Sequence, residues 1–271
     1  MTAYRTRMSD FVPSDRSAEA PVGRVLEVES APAWLRVLRL DPIGYRDAHE
    51  LQKRLQAEVI ERRGTPDARG HLLLLEHDPA VVTVTRRPDA ASHVLASEEV
   101  LARHGIERHE TDRGGDVTYH GPGQLVAYPI VDLERLGIRI HEWIRLLEQV
   151  VIDTLSTHGI VADRDPGATG VWTGRSPDDV DGVGGRKIAA IGVRVSRWVT
   201  MHGLALNVAP DPAVWARIRP CGFDPEVMTR LADHVAPEPS LEGLTASVAR
   251  ALCEALELDW DGQITESEGP S

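Results

Sequence analysis

Arg113-Gly114-Gly115-Asp116-Val117-Thr118-Tyr119-His120-Gly121-Pro122-Gly123-Gln124 is the stretch around which the rest of this chain is read. Four glycines and a proline make poor material for the interior of a helix or strand, because glycine loses the most backbone freedom on folding and packs nothing. Two readings account for the composition. In one, the stretch is a loop that lets a ligand approach the backbone: Gly114 and Gly115 leave amide N–H groups to face an oxygen or an acyl chain, with Tyr119 as a donor and His120 as a titratable group beside them. In the other it is a tight β-turn and His120 is a hydrogen-bonded core residue. It is neither a dinucleotide fingerprint nor a P-loop, since it contains neither GxGxxG nor GxxxxGK[ST].

Outward from this stretch, short extended runs alternate irregularly with a few helices. Trp34 to Leu40 alternates like a strand, and Ala48, Leu51, Leu55 and Val59 form the apolar stripe of a helix from Tyr45 to Arg63. His71 to Glu76 and Ala80 to Thr85 read as adjoining strands across a hairpin-like turn, His77-Asp78-Pro79. A second amphipathic helix runs from Ile140 to His158, with Gly159 as its C-terminal cap. Extended segments are expected around residues 160–162, 170–173, 187–195 and 203–208, and short helices near 211–217 and 241–256. Without a regular βαβ alternation the fold class is α/β (α+β), a mixed β-sheet with helices packed on it. Residues 1–33 read as a disordered N-terminal extension, 34–260 as a single catalytic domain and 261–271 as an acidic flexible tail.

The 271 residues are 42% hydrophobic and carry a net charge of -12, which argues against a nucleic-acid partner. No apolar run is long enough to span a membrane and the N-terminus lacks a secretion signal, so a cytoplasmic location is expected. Cys221 and Cys253 have no metal-ligand spacing, which argues against a zinc site or a disulfide framework. Arg62, Arg63, Arg69, Arg86 and Arg87 are candidates for a local basic patch, or simply a solvated surface. The cations are uneven: of the 30 basic residues only Lys53 and Lys187 are lysines. A buried lysine amine can lose its proton, whereas arginine cannot at useful pH.

Lys187 enters the apolar run Gly185-Arg186-Lys187-Ile188-Ala189-Ala190-Ile191-Gly192, where desolvation would make its amine a proton acceptor. A strand-end lysine reaching water through its stem is the competing reading. Lys53 lies in a mixed-charge helix, which a solvated face explains. His202 opens the strand Gly203-Leu204-Ala205-Leu206-Asn207-Val208. Cys221 stands between Pro220 and Gly222 on a turn that could present its sulfur to a ligand or have no role, while Cys253 at helix spacing behaves as a small buried hydrophobe. A thiolate at Cys221 would need a neighbouring cation or base, and Lys187, His202 and His120 are available.

Taken together, Arg113 to Ile130, Gly185 to Gly192, His202 to Val208 and Pro220-Cys221-Gly222 resemble, in the same order, the motifs of the octanoyltransferases of lipoate biosynthesis, the LipB family. The resemblance covers roughly residues 34–255. It implies the architecture of lipoate and biotin protein ligases. It also implies transfer of an octanoyl group from octanoyl-acyl carrier protein to a lysine of lipoyl domains, those of 2-oxoacid dehydrogenase E2 subunits and the glycine cleavage H protein. The transfer is ping-pong through a cysteine thioester, with no cofactor and no metal. By position, Cys221 matches the acyl-accepting cysteine and Lys187 its paired lysine. Arg113, Gly114, Gly115, Asp116, Val117, Thr118, Tyr119, His120, Ala190, Ile191, Gly192, Gly203, Leu204 and Ala205 match the acyl-substrate cleft, with His202 in support. The amides of the 113–120 loop or of Gly222 would then hold the tetrahedral oxyanion, each such donor worth about 3 kcal/mol. Val84-Thr85-Arg86-Arg87 departs from members with a glycine before the basic pair, and the Gly174 to Val183 insertion has no counterpart. Three rivals remain: a ligase of the same fold that forms an acyl-adenylate and needs ATP, an acyl-binding protein without catalysis, and a hydrolytic thioesterase.

Overall fold

Strands with side chains buried on both faces set the frame. In chain order the elements of the computed structural model, which describes residues 25–27, 34–174, 185–237 and 240–258, are β1 (Val25–Glu27), β2 (Leu35–Leu40), α1 (Tyr45–Glu61), β3 (Gly70–Leu75), β4 (Val81–Thr85), α2 (Glu98–Arg103), β5 (Glu107–Thr111) and β6 (Val117–His120). There follow β7 (Gln124–Ile130), α3 (Leu133–Leu136), α4 (Ile140–Ser156), β8 (Ala162–Arg164), β9 (Val171–Thr173), β10 (Arg186–Ser196), β11 (Val199–Asn207) and α5 (Leu241–Ala255). Among the described residues these make an eight-stranded sheet in the order β1-β2-β3-β7-β11-β10-β9-β8 and a three-stranded sheet in the order β5-β4-β6. Each sheet has one parallel pair, β2 with β3 and β4 with β5, so both are mixed, as the irregular alternation of elements predicted.

β3 shows why the aliphatic run Leu72 to Leu75 has no polar positions. Leu72 and Leu74 pack with Leu147, Val151, Val248 and Leu252 of α4 and α5, while Leu73 and Leu75 pack with Leu55 and Val59 of α1 on the other face. Alternate side chains of a strand point to opposite faces, so a strand covered on both sides must be apolar throughout. A third cluster, including Val82, Val84, Tyr119, Trp215, Ile218 and Met228, fills the space around the smaller sheet. α4 starts with the Glu142 carboxylate accepting from the Arg139 backbone N–H at 2.8 Å, and Gly159 at φ 73 turns the chain three residues past its end.

Two expectations are corrected. β3 and β4 do not form a hairpin: β3 lies between β2 and β7, and β4 between β5 and β6. The intervening His77 is anchored in the core, its Nδ1 donating to the Ile43 carbonyl at 2.9 Å and its Nε2 accepting from the Tyr128 hydroxyl at 2.8 Å, which carries the chain from one sheet into the other. Within the stretch expected to be a structureless extension, Val25–Glu27 forms β1 and pairs antiparallel with β2. The rest of the 1–33 segment, the 261–271 tail and all but Gly174 of the 174–183 insertion lie outside the described residues.

His71 on β3 is fully buried, and neither ring nitrogen meets a hydrogen-bond partner among the described residues. Burial, with the nearby Arg36, Arg69 and Arg62 guanidinium groups, pushes its pKa down to about 4. The unfolded chain therefore takes up a proton near pH 6.5 that the folded chain refuses, and stability present above that pH is lost as pH falls towards 4, by up to about 3 kcal/mol. His71→Leu, of similar volume and without polar atoms, should raise the melting temperature at pH 7 and flatten its decline between pH 6.5 and 4.5. A decline as steep as that of the parent would contradict this account.

Candidate active site

The ladder between β10 and β11 lays down one wall of a narrow cleft. Ala190 pairs with Ala205, Ile191 with Leu204 and Gly192 with Gly203, and all six line it. Arg113, Gly115, Val117, Thr118 and His120 supply the facing wall, Tyr45, Tyr128 and His202 one end, and Lys187, Pro220 and Met228 the other. Small and aliphatic side chains along the ladder leave a narrow slot, about 40 Å³ in volume as the structure stands, with a largely apolar lining.

Lys187 is 3% exposed. Its Nζ donates to the Thr169 carbonyl at 2.8 Å and lies 5.4 Å from the centre of the Trp172 ring, so the amine is held by a carbonyl and an aromatic face. Gly170 makes this path open. At φ +127, a Cβ on residue 170 would lie 2.6 Å from both Lys187 Cε and the Ala189 carbonyl oxygen. Cys221 occupies the 3-10 turn Pro220–Gly222, whose Pro220 lines the same cleft as Lys187. The two segments thus meet at one end of the slot although 34 residues separate them. Lys53 instead pairs with Glu50 at 2.8 Å on the exposed face of α1.

The glycine-rich loop is held by its own arginine. Arg113 donates to the Thr83 carbonyl at 3.1 Å, the Thr83 hydroxyl at 2.9 Å and the Asp116 carbonyl at 2.8 Å. Gly114 donates its N–H to the Val193 carbonyl at 2.8 Å, and Gly222 donates its N–H to the Arg219 carbonyl at 3.0 Å. Both of these amides are held within the fold, so of the amides expected at an oxyanion neither Gly114 nor Gly222 offers a free N–H. Three residues of the loop point away from the cleft. Gly114 sits against Val193, Tyr119 packs edge-on against Trp215 with ring centres 5.5 Å apart, and Asp116 bonds His93. Thr118 and His120 share the opposite face of β6 from Tyr119, as the strand period requires.

Polar groups under the slot are paired with one another and uncharged. His120 donates through Nδ1 to the Gln124 side-chain oxygen at 3.1 Å, Gln124 Nε2 to the Asn207 Oδ1 at 2.8 Å, and Asn207 Nδ2 to the Thr229 carbonyl at 2.9 Å. This chain of bonds ties together the sequence segments around 120, 207 and 229. Burial holds the His120 pKa well below its ordinary value, pushes His77 down to about 4 and raises the Tyr128 phenol, so each stays neutral near pH 7. Tyr45, Tyr128 and His77 were not singled out from the sequence; Tyr45 reads there only as the start of a helix. The signal that could have found them is a tyrosine or histidine at a buried position with no apolar role.

His202, His49 and Asp112 cluster at the far end, each with a ligand atom within 4.8 Å of the others, and among the described residues this is the one group with the makings of a metal site. Asp112 is already committed. His202 Nε2 donates to its Oδ1 at 2.9 Å, and Arg194 pairs with its other oxygen; the hydrogen bond from His202 is the main cause holding the carboxyl well below its ordinary range. His202 adopts φ 58 and its N–H donates to the buried Gln52 side chain at 2.8 Å, so the cluster serves to fix the ring over the slot.

The chain matches the family model of the lipoyl protein ligase A/B catalytic domain over residues 45–253. It is 45% identical to the octanoyltransferase of Gloeobacter violaceus over 219 residues, which cover 80% of this chain and 89% of that protein. It belongs to the octanoyltransferase family. A second member, the octanoyltransferase of Solibacter usitatus, is 48% identical over 72% of this chain and 81% of its own length. Among solved structures, lipoate-protein ligase A bound with ATP superposes with a TM-score of 0.62 at 17% identity, covering 83% of this chain and 86% of that one. The bipartite lipoate protein ligase of Thermoplasma acidophilum gives 0.60 at 19%, covering 85% and 86%. At these identities the solved structures speak to the fold, and they bear out the ligase-like architecture.

Gly170→Ala should cost this octanoyltransferase at least tenfold in turnover, because the methyl group displaces the Lys187 stem. Gly64→Ala, at a positive φ of 76 but with open space around it, should cost about 1 kcal/mol of stability and leave turnover unchanged. Equal turnover in the two variants would remove Gly170 from the account of Lys187.

Proposed function

We propose that this octanoyltransferase family member moves an octanoyl group from octanoyl-acyl carrier protein to a lysine of lipoyl domains, those of 2-oxoacid dehydrogenase E2 subunits and the glycine cleavage H protein, as a cytoplasmic enzyme of lipoate biosynthesis. The observation that carries the reading is the meeting of buried Lys187 with the Cys221 turn at one end of an apolar slot. The Cys221 thiolate attacks the carrier's thioester carbonyl, the C–S bond to pantetheine breaks, and the pantetheine thiol leaves with the proton the cysteine gave up. The lipoyl-domain amine then attacks the enzyme thioester, and its proton passes to the departing Cys221 sulfur as the amide forms. Exchange of one thioester for another is nearly isoenergetic, so the first half proceeds without ATP.

Lys187 serves this sequence in two protonation states. As an ammonium it favours the thiolate, and as a neutral amine it accepts a proton from the attacking lysine. Arginine could do only the first. The aliphatic wall of Val117, Ile191, Leu204 and Met228 holds the octanoyl chain. Each buried methylene is worth about 0.8 kcal/mol, so adjacent chain lengths differ only several-fold in binding.

Intact-protein mass spectrometry after mixing with octanoyl carrier protein should show one octanoyl adduct, absent from Cys221→Ser. No adduct on the parent, or the same adduct on the variant, would overturn the mechanism; a requirement for ATP would turn the reading to a ligase. Lys187→Arg should lose at least a hundredfold in transfer to a lipoyl domain and Lys53→Arg less than twofold. Equal losses would return both lysines to ordinary surface or core roles.

A further inference from the structure

Glu148 is out of keeping with the helix that carries it. It stands on the face of α4 that buries Trp143, Leu147, Val151 and Leu155, outside the four segments that bear the family resemblance, and its own side chain is fully buried. A leucine there would complete the apolar face, whereas a carboxylate out of water is tolerated only when it is paired and hydrogen-bonded. Both of its oxygens are engaged. Oε2 accepts from Arg145 at 2.7 Å and lies 3.2 Å from Arg164 Nε, two cations that reach it from α4 and β8. Oε1 accepts from the Gly170 N–H at 3.1 Å, in a bond that is itself buried.

That N–H belongs to the peptide unit whose carbonyl is Thr169, which accepts from the Lys187 amine at 2.8 Å. A trans peptide is planar, with its N–H and C=O directed oppositely, so one rigid plate has the Glu148 carboxylate at one edge and Lys187 Nζ at the other. The carboxylate sets the tilt of the plate, and with it the point at which the amine meets this acceptor. It also polarises the peptide: hydrogen bonds in series strengthen one another, and an anion on the N–H makes the carbonyl a better acceptor for a cation. The Trp172 ring and the Cys221 turn are among the other neighbours of this end of the slot.

We infer that Glu148 is a positioning residue for Lys187: it holds the Thr169–Gly170 peptide so that the carbonyl fixes the place of the amine and favours its ammonium form. Glu148 does not line the slot, so it acts through this peptide. Its consequence for turnover rests on the proposed role of Lys187 in proton transfer; its consequence for the amine itself does not.

A chain with two lysines makes the placement readable. With 13C-labelled lysine the enzyme gives two Cε resonances, and Lys53→Arg assigns the one from Lys187. Glu148→Gln keeps the size of the side chain and an oxygen for the Gly170 N–H but removes the charge. Glu148→Asp keeps the charge for Arg145 and Arg164 but is one methylene too short to hold Gly170 in the same way, and it serves where Glu148→Gln does not fold. A hydrogen bond to the charged form raises a lysine's pKa, so either variant should lower the Lys187 titration midpoint by at least half a pH unit, with Lys53 unmoved. Turnover to a lipoyl domain should fall at least tenfold, with KM for the octanoyl donor within twofold because the slot walls are untouched. A merely structural role would lower the melting temperature and leave the midpoint where it was. An unmoved midpoint in a variant that folds, or a moved one with turnover unchanged, would overturn the inference. A moved midpoint in an enzyme whose parent transfers no octanoate would instead overturn the proposed function and leave the placement of Lys187 standing.

Discussion

The pairing of β10 with β11 is the contact on which the rest of the site depends. It runs from Ala189 opposite Leu206 to Ser196 opposite Val199, and it presents Ala190, Gly192, Gly203 and Ala205 where larger side chains would close the slot. A slip of one residue would turn every side chain of a strand to the opposite face. Register is secured on the far side by β7, whose Ala127 pairs with Leu204 and whose Val126 pairs with Ala205. It is secured again at Lys187, where the ladder to β9 shifts between Lys187 and Ala189. That irregularity lets Lys187 turn inward at the point where the sheet gives way to the cleft.

A second constraint is electrical. The slot must accept a hydrocarbon chain, yet its surroundings hold three histidines and two tyrosines: His77, His120, His202, Tyr45 and Tyr128. Burying them as ions would cost several kcal/mol each, so they are kept neutral and bonded to one another or to neighbouring amide, hydroxyl, carboxylate and carbonyl groups. The formal charges at the rim are matched within the fold, as in Asp112 with Arg194 and His202. Such a lining gives an apolar chain no unmet donor or acceptor to disturb, while keeping the walls rigid enough to hold a thioester in place for attack.

The sequence announced the segments and not their assembly. The glycine-rich loop, the lysine strand and the Pro-Cys-Gly turn are visible because each breaks a local rule: too many glycines, a charge entering an apolar run, a thiol on a turn. Mixed sheets were legible from the irregular order of elements, and Gly159 from the stop it imposes on α4. The β3 to β4 connection was misread because Pro79 signals a turn whether the strands beside it pair or part, and only the anchoring of His77 decides between them. Tyr45, Tyr128 and Gly170 were invisible because their roles come from partners 51 or more residues away or from space that a single residue leaves empty. That the N–H groups of Gly114 and Gly222 are already taken was illegible for a related reason, since a glycine in a loop does not reveal which carbonyl holds its N–H.

The lysine count acquires its meaning from that geometry. Of the two lysines in the chain, Lys53 sits on an exposed helical face in an ion pair with Glu50, a setting in which arginine would do as well. Lys187 passes its four-carbon stem over the bare Cα of Gly170, and its amine donates to the Thr169 carbonyl with an indole ring beside it. A guanidinium is planar and wider, needs several acceptors for its five donors, and keeps its proton. The corridor between Gly170 and Trp172 leaves little width for it. Steric fit thus disfavours arginine at position 187, and the proton transfer proposed for that amine would disfavour it independently, in a chain that uses arginine for 28 of its 30 cations.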